Sequence, residues 1–225
     1  MTSYNKSVHV LRTSYSSYII KEVPDAESLY ARYKMIPPSV APKEVQVLGK
    51  RIIAYKSITG TPARDADKVL AAANVMWYSE PGLMPLGNSH KSEYLMYCGI
   101  HLSDPIAGVL YATALTPVSY CHGDMTLENC IDTGTRIVFI DPGWPRGLNC
   151  KELDEAKVLQ SVDGWHELKG YPKPKCTFEW RPVHWALLVT HYLRLLRHPE
   201  LHTEVQLAFA RKRIEEICET QLHIH

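Results

Sequence analysis

The 225-residue chain is predicted to be an α+β protein in two parts, a short β-rich lobe over residues 1–59 and a mainly helical lobe over residues 60–225. Three observations predict this. Four β-branched and aromatic runs fall within the first sixty residues. From Gly60 onward apolar residues recur at helical spacing. A single short strand pair interrupts the helical part near its centre.

In order, residues 7–12 and 16–23 read as strands, with Thr13-Ser14-Tyr15 as the turn between them. Residues 25–36 follow Pro24, carry Leu29, Tyr33 and Ile36 at helical spacing, and stop at Pro37-Pro38. Residues 44–48 and 51–55 straddle Gly49-Lys50 and form a second hairpin. Thr61 is placed to cap a helix over 62–78, with Pro62 in its first turn and Asp65 near its positive end. Val69, Leu70, Ala73, Met76 and Trp77 form its apolar face. Residues 81–88 hold three breakers and read as a loop. A further helical stretch lies within 90–115, before Pro117. Residues 151–163 are helical, 170–182 loop-like, and 183–197 and 200–221 are closing helices.

Composition bounds the function. Apolar residues make up 45% and charged residues 22% of the chain, as in ordinary globular proteins. A formal net charge of +1 argues against a nucleic-acid binder, which carries a basic face. No run approaches the ~20 apolar residues of a membrane helix, and the polar N-terminal residues do not resemble a signal peptide. The expectation is a cytoplasmic protein without a membrane partner. The six cysteines have no Cys-x-x-Cys spacing and read as reduced. Cys121 and Cys130 flank a polar loop, but with no second close pair they do not make a zinc site. His184, His191 and His198 are seven apart and read as a polar or packing face rather than metal ligands.

The chemistry lies near the centre, in His122-Gly123-Asp124-Met125-Thr126-Leu127-Glu128-Asn129-Cys130. An apolar run, 136–140, follows and ends in Asp141-Pro142-Gly143. Phosphoryl transfer asks for a carboxylate that orients and deprotonates a hydroxyl, and for oxygen ligands that hold Mg²⁺ on the phosphates. Asp124 fits the base; Asn129 and Asp141 fit the metal ligands.

This constellation resembles the catalytic loop and metal segment of the protein-kinase-like fold, in its small-molecule branch of aminoglycoside phosphotransferases, choline and sugar kinases, and phosphotransferases linked to polysaccharide synthesis. Protein kinases read His-Arg-Asp with Lys two places on; here the loop reads His122-Gly123-Asp124, with Thr126 two places on. Residues 153–164 also resemble that branch, in which an Asp on this helix braces the catalytic loop; Asp154 matches it. His122 resembles a structural residue that bonds backbone near the metal segment. The close match covers roughly residues 118–164.

The resemblance implies a bilobal molecule that takes ATP as phosphoryl donor and Mg²⁺ as cofactor. It implies a phosphate-binding lysine on a strand, for which Lys21 is the candidate, held by a Glu of the next helix, for which Glu27 is the candidate; Glu22 or a different partner stays open. Adenine would bond backbone around residues 55–58, beside a hinge near 57–60. Three departures stand out. Residues 1–48 contain no glycine, so no Gly-rich loop covers the phosphates. The N-terminal lobe is short. Pro142 should hold Asp141 extended. No long activation segment follows Asp141, which points to a small hydroxyl compound, perhaps sugar-like, as acceptor rather than a protein. Trp144, Arg146, Trp165, Trp180 and Arg181 are the candidate acceptor contacts. Two rival readings remain: a non-catalytic kinase-like scaffold, and transfer of AMP on the same fold.

Overall fold

The computed structural model describes residues 7–78, 86–143 and 148–223. Its first layer is a four-stranded antiparallel sheet of β1 (Val8–Arg12), β2 (Ser17–Glu22), β3 (Gln46–Gly49) and β4 (Ile52–Lys56), in the order β1-β2-β4-β3. The β1–β2 turn is closed by Thr13, whose N–H and hydroxyl both donate to the Ser16 carbonyl, at 2.8 and 2.9 Å. Register sets the faces. Ile19 pairs with Tyr55 and Lys21 with Ile53, and residues two apart share a face. Lys21 therefore points to the covered side with Ile53 and Tyr55, and all three are buried.

That face is covered by α1 (Ala26–Met35). Asp25 caps it by accepting from the Ser28 N–H, and the helix ends at Ile36, before the two prolines. Tyr33 and Tyr55 pack ring against ring, 6.0 Å between centroids.

The predicted helix over 62–78 starts later than its spacing implied. Thr61–Pro62 is a short strand, β5, paired with β6 (Cys130–Asp132), which in turn pairs with β7 (Ile137–Phe139). Gly60 lies so close to β6 that a Cβ there would stand 2.5 Å from the Asp132 carbonyl oxygen. Helix α2 is Ala66–Trp77, capped by Asp65, which accepts from the Lys68 N–H at 2.9 Å. Pro62 fits an edge strand because a proline has no N–H to leave unpaired there.

The stretch expected within 90–115 is two helices, α3 (Asn88–Cys98) and α4 (Pro105–Ala112). Gly99, with φ +75°, ends α3 in the left-handed region where glycine carries no steric cost. Residues 81–85 of the expected loop lie outside the described residues. Helix α5 (Lys151–Gln160) runs through a wide turn over 161–165 into the single turn α6 (His166–Leu168). A loop leads to α7 (Pro182–Leu196) and then α8 (Glu204–Thr220). One apolar core extends from Val23 to Ile217 and joins sheet and helices. The molecule is thus α+β, with the catalytic-type loop at the junction of its two parts. Among the described residues no helix is long and apolar enough to cross a membrane.

Candidate active site

The loop from His122 to Asn129 is held from below by α5. Asp154, fully buried, accepts from the N–H groups of His122 (2.8 Å) and Gly123 (2.7 Å) and from the Trp77 indole N–H (3.1 Å). From the side, the loop is tied to the end of β7. His122 Nε2 lies 3.0 Å from the Ile140 carbonyl, and the Ile140 N–H donates to the Asn129 carbonyl at 2.9 Å. Asn129 then folds back, its Nδ2 donating to the Asp124 carbonyl (2.9 Å) and to Asp124 Oδ2 (3.1 Å). Those contacts leave the Asn129 Oδ1 lone pairs uncommitted.

Beyond β7 the chain passes flat against this loop. A Cβ on Gly143 would stand 2.8 Å from Asp124 Cβ and 2.9 Å from the Gly123 backbone, so only glycine fits. Asp141 was expected to be extended before Pro142; instead its φ is +53°. Aspartate enters this region more readily than most residues, and the conformation costs on the order of 1–3 kcal/mol. Surrounding contacts hold it. Lys21 Nζ donates to Oδ1 at 2.7 Å and to Oδ2 at 2.6 Å, and the Asp141 N–H donates to the Tyr33 hydroxyl at 2.9 Å. Burial, then the Asp141 charge, raises the Tyr33 and Tyr55 hydroxyls above their ordinary pKa, so both stay neutral.

The other side of Asp124 faces α5 again. Lys157 lies one turn beyond Asp154, so both project from one face of the helix. Its ammonium stands 2.9 Å from Asp124 Oδ1 and 3.0 Å from Gln160 Oε1. Burial pushes the Asp124 carboxyl up, but the Lys157 charge and hydrogen bond, with a smaller contribution from His122, outweigh it and hold the carboxyl well below its usual range. The Asp124 side chain keeps 41% of its surface exposed, on a cavity of about 220 Å³ lined by Asn129, Lys157, Gln160, Trp165 and Lys169 among others. Glu128, on the same wall, is ion-paired with Lys169.

No family model and no curated sequence matches the chain. Solved structures do. The choline kinase LicA from Streptococcus pneumoniae superposes with a TM-score of 0.60 at 12% identity, over 97% of this chain and 92% of that one. LicA in complex with AMP gives 0.56 at 13% identity, over 96% and 90%. The apo form of a thermostable aminoglycoside phosphotransferase mutant gives 0.60 at 10% identity, over 98% and 93%. The chain has a protein-kinase-like fold. At these identities the likeness is one of backbone path.

Within this kinase-like frame, Asp124 and Asn129 are hydrogen-bonded and line one cavity, Asp141 follows the strand tied to their loop and pairs with Lys21, and His122 and Asp154 hold the loop in place. Glu27 does not join them. It lies exposed in the first turn of α1, and the partner of Lys21 is Asp141. The α1 residue that reaches the site is Tyr33, whose position in the apolar stripe reads as core. Of the acceptor candidates, Trp165 lines the cavity beside Asp124. Trp180 packs on Phe178 and His184, and Arg181 pairs with Glu152; neither lines that cavity. Trp144 and Arg146 lie outside the described residues. Sequence reasoning also passed over Lys157. Its signal is the spacing Asp154-x-x-Lys157, which on a helix that braces the loop carries the lysine to the same place.

The donor types of Asn129 and Asp141 are ones Mg²⁺ accepts, although both Asp141 oxygens are bonded by Lys21. The two residues offer an amide oxygen with free lone pairs and a carboxylate already set against a positive charge. Mg²⁺ keeps most of its shell as water and phosphate and needs only such a pair.

Proposed function

We propose that the protein is a Mg²⁺- and ATP-dependent phosphotransferase that phosphorylates a hydroxyl group of a small molecule. One observation carries this reading. The Asp124 carboxylate, kept ionised, opens with Asn129 on a cavity the size of a small acceptor, and the segment that follows the loop carries Asp141, paired with Lys21. ATP would enter beneath the four-stranded sheet, with adenine against backbone near residues 55–58 and residues 1–59 and 60–225 acting as the two lobes about that hinge. Lys21 would turn from Asp141 to the phosphates. An acceptor hydroxyl in the cavity donates its proton to Asp124, its oxygen bonds the γ-phosphorus, and the bridging bond breaks with its electrons leaving on ADP. Asn129 and Asp141 would hold the Mg²⁺, which when bound neutralises phosphate charge. His122 and Asp154 would keep the loop in place.

The structural neighbours support the nucleotide, one of them being a complex with AMP. They are kinases of choline and ethanolamine and phosphotransferases of aminoglycosides and macrolides, so they do not choose the acceptor. The cavity itself favours a neutral polyhydroxyl compound such as a sugar. Both of its carboxylates, Asp124 and Glu128, are ion-paired with a lysine, so their charge is balanced and draws an amine weakly, and Trp165 is an aromatic part of the lining. ATP supply makes the cytoplasm the natural location.

The test is ligand-dependent stability followed by turnover. Mg-ATP should raise Tm, because a ligand of the native state alone stabilises it, and a panel of sugars, polyols and amino alcohols should yield ADP with at least one member. Asp124→Asn should keep the Tm shift and lose about 10²–10⁴-fold in kcat. Absence of any Tm shift with Mg-ATP or Mg-ADP would sink the reading. It would favour a non-catalytic scaffold, for which the glycine-free 13–16 turn and the closed Lys21–Asp141 pair speak.

A further inference from the structure

We infer that Lys157 is a catalytic residue, the cation that stabilises the transferring phosphoryl group from the acceptor side. The inference rests on the phosphotransferase reading. It begins from where the reaction must occur. An acceptor oxygen activated by Asp124 lies within hydrogen-bond reach of its carboxylate, and the phosphorus it attacks is about 3–3.5 Å further on. The Lys157 ammonium, 2.9 Å from Asp124 Oδ1, is therefore a neighbour of the entering oxygen and of the equatorial oxygens of the phosphoryl group.

Lys157 is also fixed. Its side chain is 11% exposed, and two of its three N–H bonds have partners, Asp124 Oδ1 and Gln160 Oε1. The third is available to the cavity that the residue lines. A donor held in place before the reaction needs no reorganisation when charge develops, which is what makes such groups effective. The other cations near the cleft are differently engaged. Lys21 binds Asp141, on the nucleotide side. Lys169 binds Glu128, and Arg194 stacks on Tyr97.

The step balances as ordinary phosphoryl transfer. The acceptor oxygen–phosphorus bond forms, the bond from γ-phosphorus to the bridging oxygen breaks, ADP takes the electron pair, and the proton goes to Asp124. Lys157 keeps its own protons and donates hydrogen bonds to the equatorial oxygens, where negative charge lies in transit.

A planar phosphoryl mimic separates this role from positioning. Wild type, Lys157→Met and Lys157→Arg are titrated with Mg-ADP alone and with Mg-ADP plus aluminium fluoride, with Tm as readout. Wild type should show a shift with Mg-ADP and a further shift with fluoride. Lys157→Met should keep the Mg-ADP shift and bind the fluoride complex at least about 100-fold more weakly, whereas Lys157→Arg should recover most of the increment. Should Lys157→Met fail to fold, Lys157→Gln, which keeps hydrogen bonding without charge, replaces it. A full fluoride increment in the neutral variant overturns the inference. So does a loss of the Mg-ADP shift in equal proportion, which marks a structural role. A wild type that binds Mg-ADP but gains nothing from fluoride overturns it too, with nucleotide binding intact. A wild type that does not bind Mg-ADP overturns the phosphotransferase reading itself.

Discussion

Asp124 and Asp154 show how two aspartates thirty residues apart diverge in role through their surroundings alone. Asp124 is half open to a cavity and has one partner on each oxygen. Asp154 is sealed, and its two oxygens serve three N–H groups. Substitution should therefore separate activity from stability. Whereas Asp124→Asn should affect turnover, Asp154→Ala strands three buried donors at ~1–3 kcal/mol each. A loss of about 3 kcal/mol or more is expected, read as a lower urea midpoint with unchanged slope. Asp154→Asn keeps the volume but turns an amide NH₂ toward a donor, and should fall in between. The same scale explains the misplaced partner of Lys21. Glu27 opens the next helix in sequence but is exposed, and the α1 side chain that reaches Asp141, the partner of Lys21, is Tyr33, two turns on.

Elements, rather than residues, decide how the site is framed. The helix expected to begin at Thr61 begins at Asp65, because residues 61–62 are claimed by the edge of the β6–β7 hairpin. The two placements predict opposite mutational behaviour. Asp65→Ala removes a cap and should cost ~1 kcal/mol, while Thr61→Ala should change stability by less than ~0.5 kcal/mol; chemical denaturation of both variants distinguishes them. The segment after β7 makes a sharper demand. At Gly143 an added methyl meets Asp124 Cβ and the Gly123 backbone, neither of which can swing aside. Gly143→Ala should cost about 1–3 kcal/mol and shift Asp124 enough to lower kcat at least ~10-fold. Wild-type turnover in a stably folded Gly143→Ala protein would contradict that close approach.

At the scale of the whole molecule, one core joins the sheet to the helices, and it encloses several histidines. Burial holds His122 below its ordinary pKa, against the pull of Asp154 and Asp124. Burial, helped by Lys157 and Arg194, holds His191 far below. Below pH ~6.5 the unfolded chain takes up protons at these positions that the folded chain does not. Stability is thus fully present above that pH and is lost as pH falls through it. The depressed carboxyls, Asp124 and Glu155, act in a separate window, losing their contribution only as pH falls below ~4. Thermal melts should be level from pH 7.5 to 8.5 and lower by several degrees at pH 5.5, corresponding to about 2–3 kcal/mol for two histidines; an unchanged Tm at pH 5.5 would contradict their buried neutral state. The sequence by itself determined the four strands of the first sheet with their intervening helix, the strand pair near the centre and the closing helices, and through the family resemblance the catalytic-type loop and its brace. The strands and helices are written in local spacing, because turns, caps and face periodicity act within a few residues of each other. Only the tertiary structure decided that Lys21 meets Asp141 across 120 positions, that Tyr33 rather than Glu27 reaches Asp141 from α1, and that Lys157 stands beside Asp124. Long side chains choose partners by the packing of sheet on helix, and that distance is not encoded in any one stretch of chain.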